Sequence, residues 1–157
     1  MRRRTAYVVR VITVLAACGL ATSGVMDEYK KNQAFLEQAA KEEGAVKTST
    51  GLIFKVLTPG TGDVSPKLTD VVKVNYRGTF PDGKEFDSSY KHGEPAEFPV
   101  NKVIKCWTEG LMRMKTGEKA QLVCPPGIAY GDKGFGNGVV PPGAVLVFQV
   151  ELLEIKK

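Results

Sequence analysis

The stretch DVVKVNYRGTF (residues 70–80) sets Val72, Val74 and Tyr76 against Lys73, Asn75 and Arg77 in alternation. A period of two puts the apolar set on one face of a β-strand and the polar set on the other. This segment therefore reads as a strand with one buried face. Pro81-Asp82-Gly83-Lys84 follows as a turn, because Asp-Gly tolerates positive φ. The alternation returns at 144–155, where Leu146, Phe148, Val150 and Leu152 oppose Val145, Val147, Gln149 and Glu151. Shorter strands are expected at 52–57, ended by Pro59-Gly60, at 97–100, and at 120–124, ended by Pro125-Pro126-Gly127. Between the last two, Ile104, Trp107 and Leu111 stand at i, i+3 and i+7, one face of a short helix. Four to six antiparallel strands with one short helix on a sheet face make an α+β domain, expected over 49–157.

Upstream, MDEYKKNQAFLEQAAKEE (26–43) is rich in helix formers, and Gly44 supplies a stop. Its apolar residues Tyr29, Phe35, Leu36, Ala39 and Ala40 form a partial stripe. Two readings stay open: a spacer helix resting on its own domain, or a contact with a second copy of the chain. The small residues of 19–24 suit a flexible tether. Tether and helix together occupy 18–48.

The first residues are of a different kind. The chain of 157 residues carries a formal charge of +5, and Arg2, Arg3, Arg4 and Arg10 account for four of those charges. The remainder is close to neutral, so a nucleic-acid role, which needs a clustered basic face, loses its compositional support. A basic start, a short apolar run at 11–17 and a small-residue end make 1–17 a secretory signal peptide. The run is far shorter than the roughly 20 residues that cross a bilayer as a helix. Leu15-Ala16-Ala17-Cys18 is similar to the bacterial lipobox, in which the cysteine thiol carries the lipid. The other reading is an ordinary signal peptide followed by a coincidental cysteine. Lipidation at Cys18 implies the periplasm or outer membrane, with attachment through the anchor.

Enzyme signatures are mostly missing. The sequence holds no GxSxG, no P-loop and no GxGxxG between strand and helix. With one histidine, His92, and no CxxC or HxxxH spacing, no metal site and no cofactor is expected. In an oxidising compartment Cys106 and Cys124 form an even pair, open between a disulfide and two buried thiols. Aromatics stand near strand ends and loops, at Tyr76, Phe86, Phe98, Trp107, Tyr130 and Phe148. Periodicity alone cannot separate core from binding site for any of them.

The segments VKVNYRGTFPDGKEFDSSY (72–90), VIKCWTEGL (103–111) and AYGDKGFGNGVVPPGAVLVFQVELL (129–153) resemble, in order and spacing, the FKBP-type peptidyl-prolyl cis-trans isomerases. The stretch NQAFLEQAAKEEGAVKTSTGLIFKVL (32–57) is similar to their bacterial Mip and FkpA branch. The resemblance implies an antiparallel half-barrel sheet wrapped on one short helix, preceded by an N-terminal helix. It implies an aromatic pocket with Trp107 as floor, walls from Tyr76, Phe86, Phe98, Val103, Ile104 and Phe148, and Asp87 and the Tyr130 hydroxyl at the rim. Ile104 would offer a backbone N–H. Phe86, Asp87 and Tyr130 are the expected catalytic set, and the other pocket residues the substrate contacts. The implied activity is isomerisation of X–Pro bonds in exported proteins. The alternative is a chaperone-like binding module of the same fold without that activity. The implied partners are proline-containing polypeptides and macrolides such as rapamycin, with the chain a monomer or weak homodimer. Ala96, where many members have an aromatic, and Cys106, in place of the usual Gly before the tryptophan, depart from the pattern.

Overall fold

The computed structural model describes residues 24–157 in full and the helical backbone alone for 6–23. The signal peptide expected over 1–17 and the acceptor Cys18 lie outside the fully described residues. Helix α1 (Ala6–Lys41) belongs mostly to a first compact unit that ends at Phe35, and the second unit runs from Leu36 to Lys157. The helix ends close to the expected position, and Gly44 follows it at φ +79°. It also takes in 19–24, expected as a tether. Glycine costs roughly 1 kcal/mol against alanine in a helix, and the alanine and leucine residues around 19–24 offset this. Within the second unit Ala39 is buried and Leu36 and Ala40 are half-buried.

The second unit is one antiparallel sheet with a short helix. Its strands are β1 (Ala45–Lys47), β2 (Ile53–Thr58), β3 (Val71–Thr79), β4 (Glu85–Ser88), β5 (Ala96–Pro99), β6 (Lys119–Cys124) and β7 (Leu146–Lys156). Their order is β1-β2-β6-β7-β3-β4, and β5 pairs with β3 beyond the stretch that β4 covers. Seven strands exceed the expected four to six because β1 and β4 carry no apolar alternation. β4 is polar, and it pairs because the turn closes on itself: Phe80 N–H donates to Lys84 O at 2.9 Å, and Lys84 N–H to Asp82 Oδ1 at 2.9 Å. The chain is thereby returned onto β3, with Arg77 opposite Ser88 and Gly78 opposite Asp87.

The inward positions form rows across the sheet. Tyr76 lies opposite Val150, and Val150 opposite Ala120; Gly78 lies opposite Phe148, and Phe148 opposite Leu122. Helix α2 (Lys105–Arg113) packs on this face through Trp107, Gly110 and Leu111, all buried. Two glycines set how close the layers come. A Cβ on Gly110 would stand 2.7 Å from both methyls of Leu122. A Cβ on Gly78 would stand 2.7 Å from Phe86 Cζ and 2.8 Å from Phe148 Cε1. The Tyr-Arg-Gly of β3 thus leaves room for two rings to cross its surface.

Those rings are wedged among other aromatics and cannot withdraw. Gly78→Ala is expected to destabilise the domain by about 1–3 kcal/mol, the usual cost of overpacking. The measurement is a lowered urea midpoint with unchanged slope; a midpoint equal to wild type would show that the rings yield freely.

Candidate functional site

The i, i+3, i+7 spacing of α2 turns Trp107 toward the sheet, and three rings receive it. Tyr76 from β3, Phe98 from β5 and Phe148 from β7 lie 5.2, 5.6 and 5.3 Å from it between centroids, each nearly perpendicular to the indole. Edge-to-face pairs of this kind contribute about 0.5–1.5 kcal/mol each beyond burial. The indole N–H is buried without a hydrogen-bond partner, so Trp107 offers the site an apolar surface rather than a donor. Phe86 of β4 meets Phe148 at 5.6 Å and is backed by Phe80 at 5.0 Å.

These rings line a cavity of about 480 Å³. Tyr76, Phe86, Asp87, Phe98, Val103, Ile104, Trp107, Tyr130 and Phe148, all singled out in the sequence, meet around it. Two further lining residues, Lys102 and Phe135, were missed. Lys102 is a polar residue in the short connection between β5 and α2, with no pattern to mark it. Phe135 does carry a signal: an aromatic between two glycines in a loop cannot be explained by strand or helix periodicity.

Polar groups are few and differ in their engagement. The Tyr76 hydroxyl donates to Asp87 Oδ2 at 2.8 Å, and His92 Nε2 lies 3.5 Å from Asp87 Oδ1. Tyr76 is itself clamped, its N–H donating to Ser89 Oγ at 2.9 Å while Ser89 N–H donates to Tyr76 O at 3.0 Å. Asp87 is therefore held across the strand pair by side chains. The Tyr130 hydroxyl and the Ile104 N–H have no hydrogen-bond partner among the described residues. Ile104 precedes the first turn of α2, and its carbonyl accepts from the N–H groups of Trp107 and Thr108. Its N–H stays free to donate. Two donors beside an apolar cavity can hold the carbonyls of a peptide whose apolar side chain sits on the floor. No group of three or more His, Cys, Asp or Glu able to hold a metal occurs among the described residues.

Cys106, one residue before the floor, is joined by a disulfide to Cys124 at the end of β6, with Cα atoms 5.9 Å apart. The cysteine in the usual glycine position thus ties the first turn of α2 to the sheet. Ala96 is half-buried opposite Val74 on β5, and the floor is walled on that side by Phe98.

Burial, followed by the hydrogen bond to Asp87, pushes the Tyr76 phenol well above its ordinary value. Burial and then the negative charge of Asp87 push Tyr130 up as well. Both remain protonated donors where free tyrosine ionises, near pH 10. A raised folded-state value means stability that is present below pH 10 and lost as pH climbs past it, because the unfolded chain releases its protons first. The urea midpoint is expected to fall between pH 8 and pH 11, and to fall less in Tyr76→Phe. Equal falls in the two proteins would remove Tyr76 from this linkage.

The FKBP-type peptidyl-prolyl cis-trans isomerase family model matches residues 62–153. FkpA of Escherichia coli is 48% identical over 130 residues, covering 83% of this chain and 47% of that protein. The Mip isomerase of Coxiella burnetii is 45% identical over 128 residues, covering 82% and 55%. The chain therefore spans about half the length of these relatives. The crystal structure of FkpA from Escherichia coli superposes with a TM-score of 0.78 at 40% identity, covering 99% of this chain and 74% of that one. On the family match, these identities and the half-barrel that carries the aromatic cavity, the chain belongs to the FKBP-type peptidyl-prolyl cis-trans isomerases, in the branch that includes FkpA and Mip.

Proposed function

We propose that this chain is a peptidyl-prolyl cis-trans isomerase acting on X–Pro bonds of exported proteins and aiding their folding. The observation that carries this reading is a cavity walled by aromatic rings with two unengaged donors at its edge. Rotation about an amide bond meets a barrier of ~18–20 kcal/mol because it breaks resonance. The planar amide is the more charge-separated form, and the twisted one has lost much of that separation. An apolar cavity penalises the planar form more and lowers the difference between them. The proline ring rests on Trp107, between Phe98 and Phe148. The Tyr130 hydroxyl and the Ile104 N–H hold the flanking carbonyls and fix the axis of rotation. Asp87, oriented by Tyr76, and Phe86 complete the rim. No bond to the protein forms, so no nucleophile, metal or cofactor enters the scheme.

A protease-coupled assay on a short X–Pro peptide tests this directly. Tyr130→Phe is expected to lower kcat/KM roughly two- to tenfold, the value of one hydrogen bond at about 0.5–1.5 kcal/mol. Phe148→Ala is expected to cost more activity and ~3–5 kcal/mol of stability. Rapamycin should inhibit and change Trp107 fluorescence. Peptide binding without catalysis would instead establish the alternative, a chaperone-like module of the same fold.

We place the protein in the periplasm or outer membrane, held by lipid on Cys18, as a monomer or weak homodimer. The sequence ending at Cys18 supports this, and no helix among the described residues is long and apolar enough to cross a membrane. One acyl chain binds a membrane only marginally, so firm attachment uses the several chains of a bacterial lipoprotein. Cys18→Ser is expected to abolish labelling by an alkyne-tagged palmitate and to shift the protein to the soluble periplasmic fraction. Unchanged labelling and fractionation would overturn the anchor.

A further inference from the structure

Helix α2 and strand β6 are pinned to each other at two points. Toward the end of the helix, Gly110 lets Leu122 come close. Toward its start, Cys106 is bonded to Cys124, and both cysteines are fully buried. Polar restraints on the start of α2 are few. Ile104 caps it without a side-chain hydrogen bond, and its first turn holds no acidic residue, so neither usual device for fixing a helix N-terminus is in place. Thr108 Oγ1 donates to Val100 O at 2.8 Å, which ties the helix to the segment leading into it rather than to β6.

The bonded cysteines stand close in sequence to the two unengaged donors of the cavity. Ile104, with its free N–H, lies two residues before Cys106, and Tyr130 lies six residues after Cys124. The stretch from Cys124 to Tyr130 is stiff. Pro125 and Pro126 fix their own φ, and Pro126 O accepts from Ala129 N–H at 3.0 Å and from Gly131 N–H at 2.9 Å. A shift of Cys124 is therefore carried to Tyr130, as a shift of Cys106 is carried to Ile104 and Trp107. The shortest covalent path between the two donors runs through the disulfide.

We propose that Cys106 and Cys124 are positioning residues whose bond sets the spacing of the Ile104 and Tyr130 donors, so that binding of an X–Pro segment and oxidation of the pair are coupled. This deepens the isomerase reading and rests on the same cavity as the peptide site. A segment held by the Ile104 N–H and the Tyr130 hydroxyl crosses the joint between α2 and β6 as a second, non-covalent tie. Linkage then requires that the bridged chain bind the segment more tightly, and that the bound segment oppose reduction by the same factor. A dithiol reduces the pair by thiolate attack on one sulfur, which breaks the S–S bond and forms a mixed disulfide. The second thiolate of the reagent displaces the protein sulfur, leaving two cysteine thiols and a cyclic disulfide in the reagent; two electrons and two protons pass to the protein. Both sulfurs are buried, so the attack needs the joint to open.

The test uses the oxidised full chain beside Cys106→Ala, Cys124→Ala and the double variant, with rapamycin as probe, at a temperature where circular dichroism shows all four folded. Wild type is expected to bind rapamycin about three- to tenfold more tightly than any variant. The three variants should bind alike, since each loses the same bond; two separate packing losses would instead leave the double variant weaker than either single one. In dithiothreitol buffers, the ratio of reduced to oxidised reagent that opens half of the wild-type pair is read by alkylation and mass spectrometry. Saturating rapamycin should raise that ratio by the same three- to tenfold. Equal affinity in all four proteins with an unmoved ratio overturns the coupling and leaves the isomerase reading standing. A double variant weaker than both single ones overturns the positioning role in the same way. Coupling without turnover of an X–Pro peptide would sink the isomerase reading and leave this one; failure of rapamycin to bind any form would sink both.

Discussion

Trp107 packs against rings from three strands, and the site depends on that single junction. Strands β3, β5 and β7 each bring one ring to the indole, so the floor is common to most of the sheet. Its position is fixed by how near α2 comes to the strands, which the missing Cβ of Gly110 over Leu122 permits. Leu122 is paired with Phe148, and Phe148 with Gly78, where the next missing Cβ admits Phe86. The row Leu122-Phe148-Gly78, with Gly110 over one end and Phe86 over the other, thus links helix approach, floor and wall. A change anywhere along it moves the cavity wall as well as the core, so the cavity cannot be separated from the packing that builds it.

The electrostatics follow from the same packing. A cavity lined with carbon suits an amide losing charge separation, but it makes every buried polar group costly unless bonded. Tyr76 meets the requirement with Asp87, on a backbone clamped by Ser89. Tyr130 and Ile104 instead keep a donor without a hydrogen-bond partner among the described residues, beside the cavity. The contrast between a donor committed to the wall and a donor left unengaged separates Tyr76 from Tyr130, although both are half-buried or buried tyrosines with raised values.

The long strands were legible because β3 and β7 each bury one face, and burial writes a period of two into Val72-Val74-Tyr76 and Leu146-Phe148-Val150-Leu152. Helix α2 was legible for the corresponding reason at 3.6 residues. Strands β1 and β4 were not, because edge strands held mainly by backbone bonds leave no apolar pattern; β4 depends on the Asp82 turn for its register. The pocket residues could be named only through the family resemblance, since a core phenylalanine and a pocket phenylalanine are identical in sequence. Lys102 and Phe135 escaped both routes. Neither follows a strand or helix period, and what marks them is three-dimensional: both line one cavity and both are exposed at its mouth.

The link between Cys106 and Cys124 joins residues 18 positions apart and closes a loop that holds nearly all of α2 and the whole of β6. In the oxidised chain these two elements begin the search for their native arrangement already joined. The entropy of closing a loop of this order, about 3 kcal/mol in the chain-entropy model, is then removed from the folding reaction. In a reducing solution the same residues must find each other by diffusion, against that entropy. Assembly of the floor is therefore coupled to thiol chemistry: a protein proposed to speed one slow step of folding in others carries, in its own chain, a second kind of slow step that prolyl rotation does not relieve.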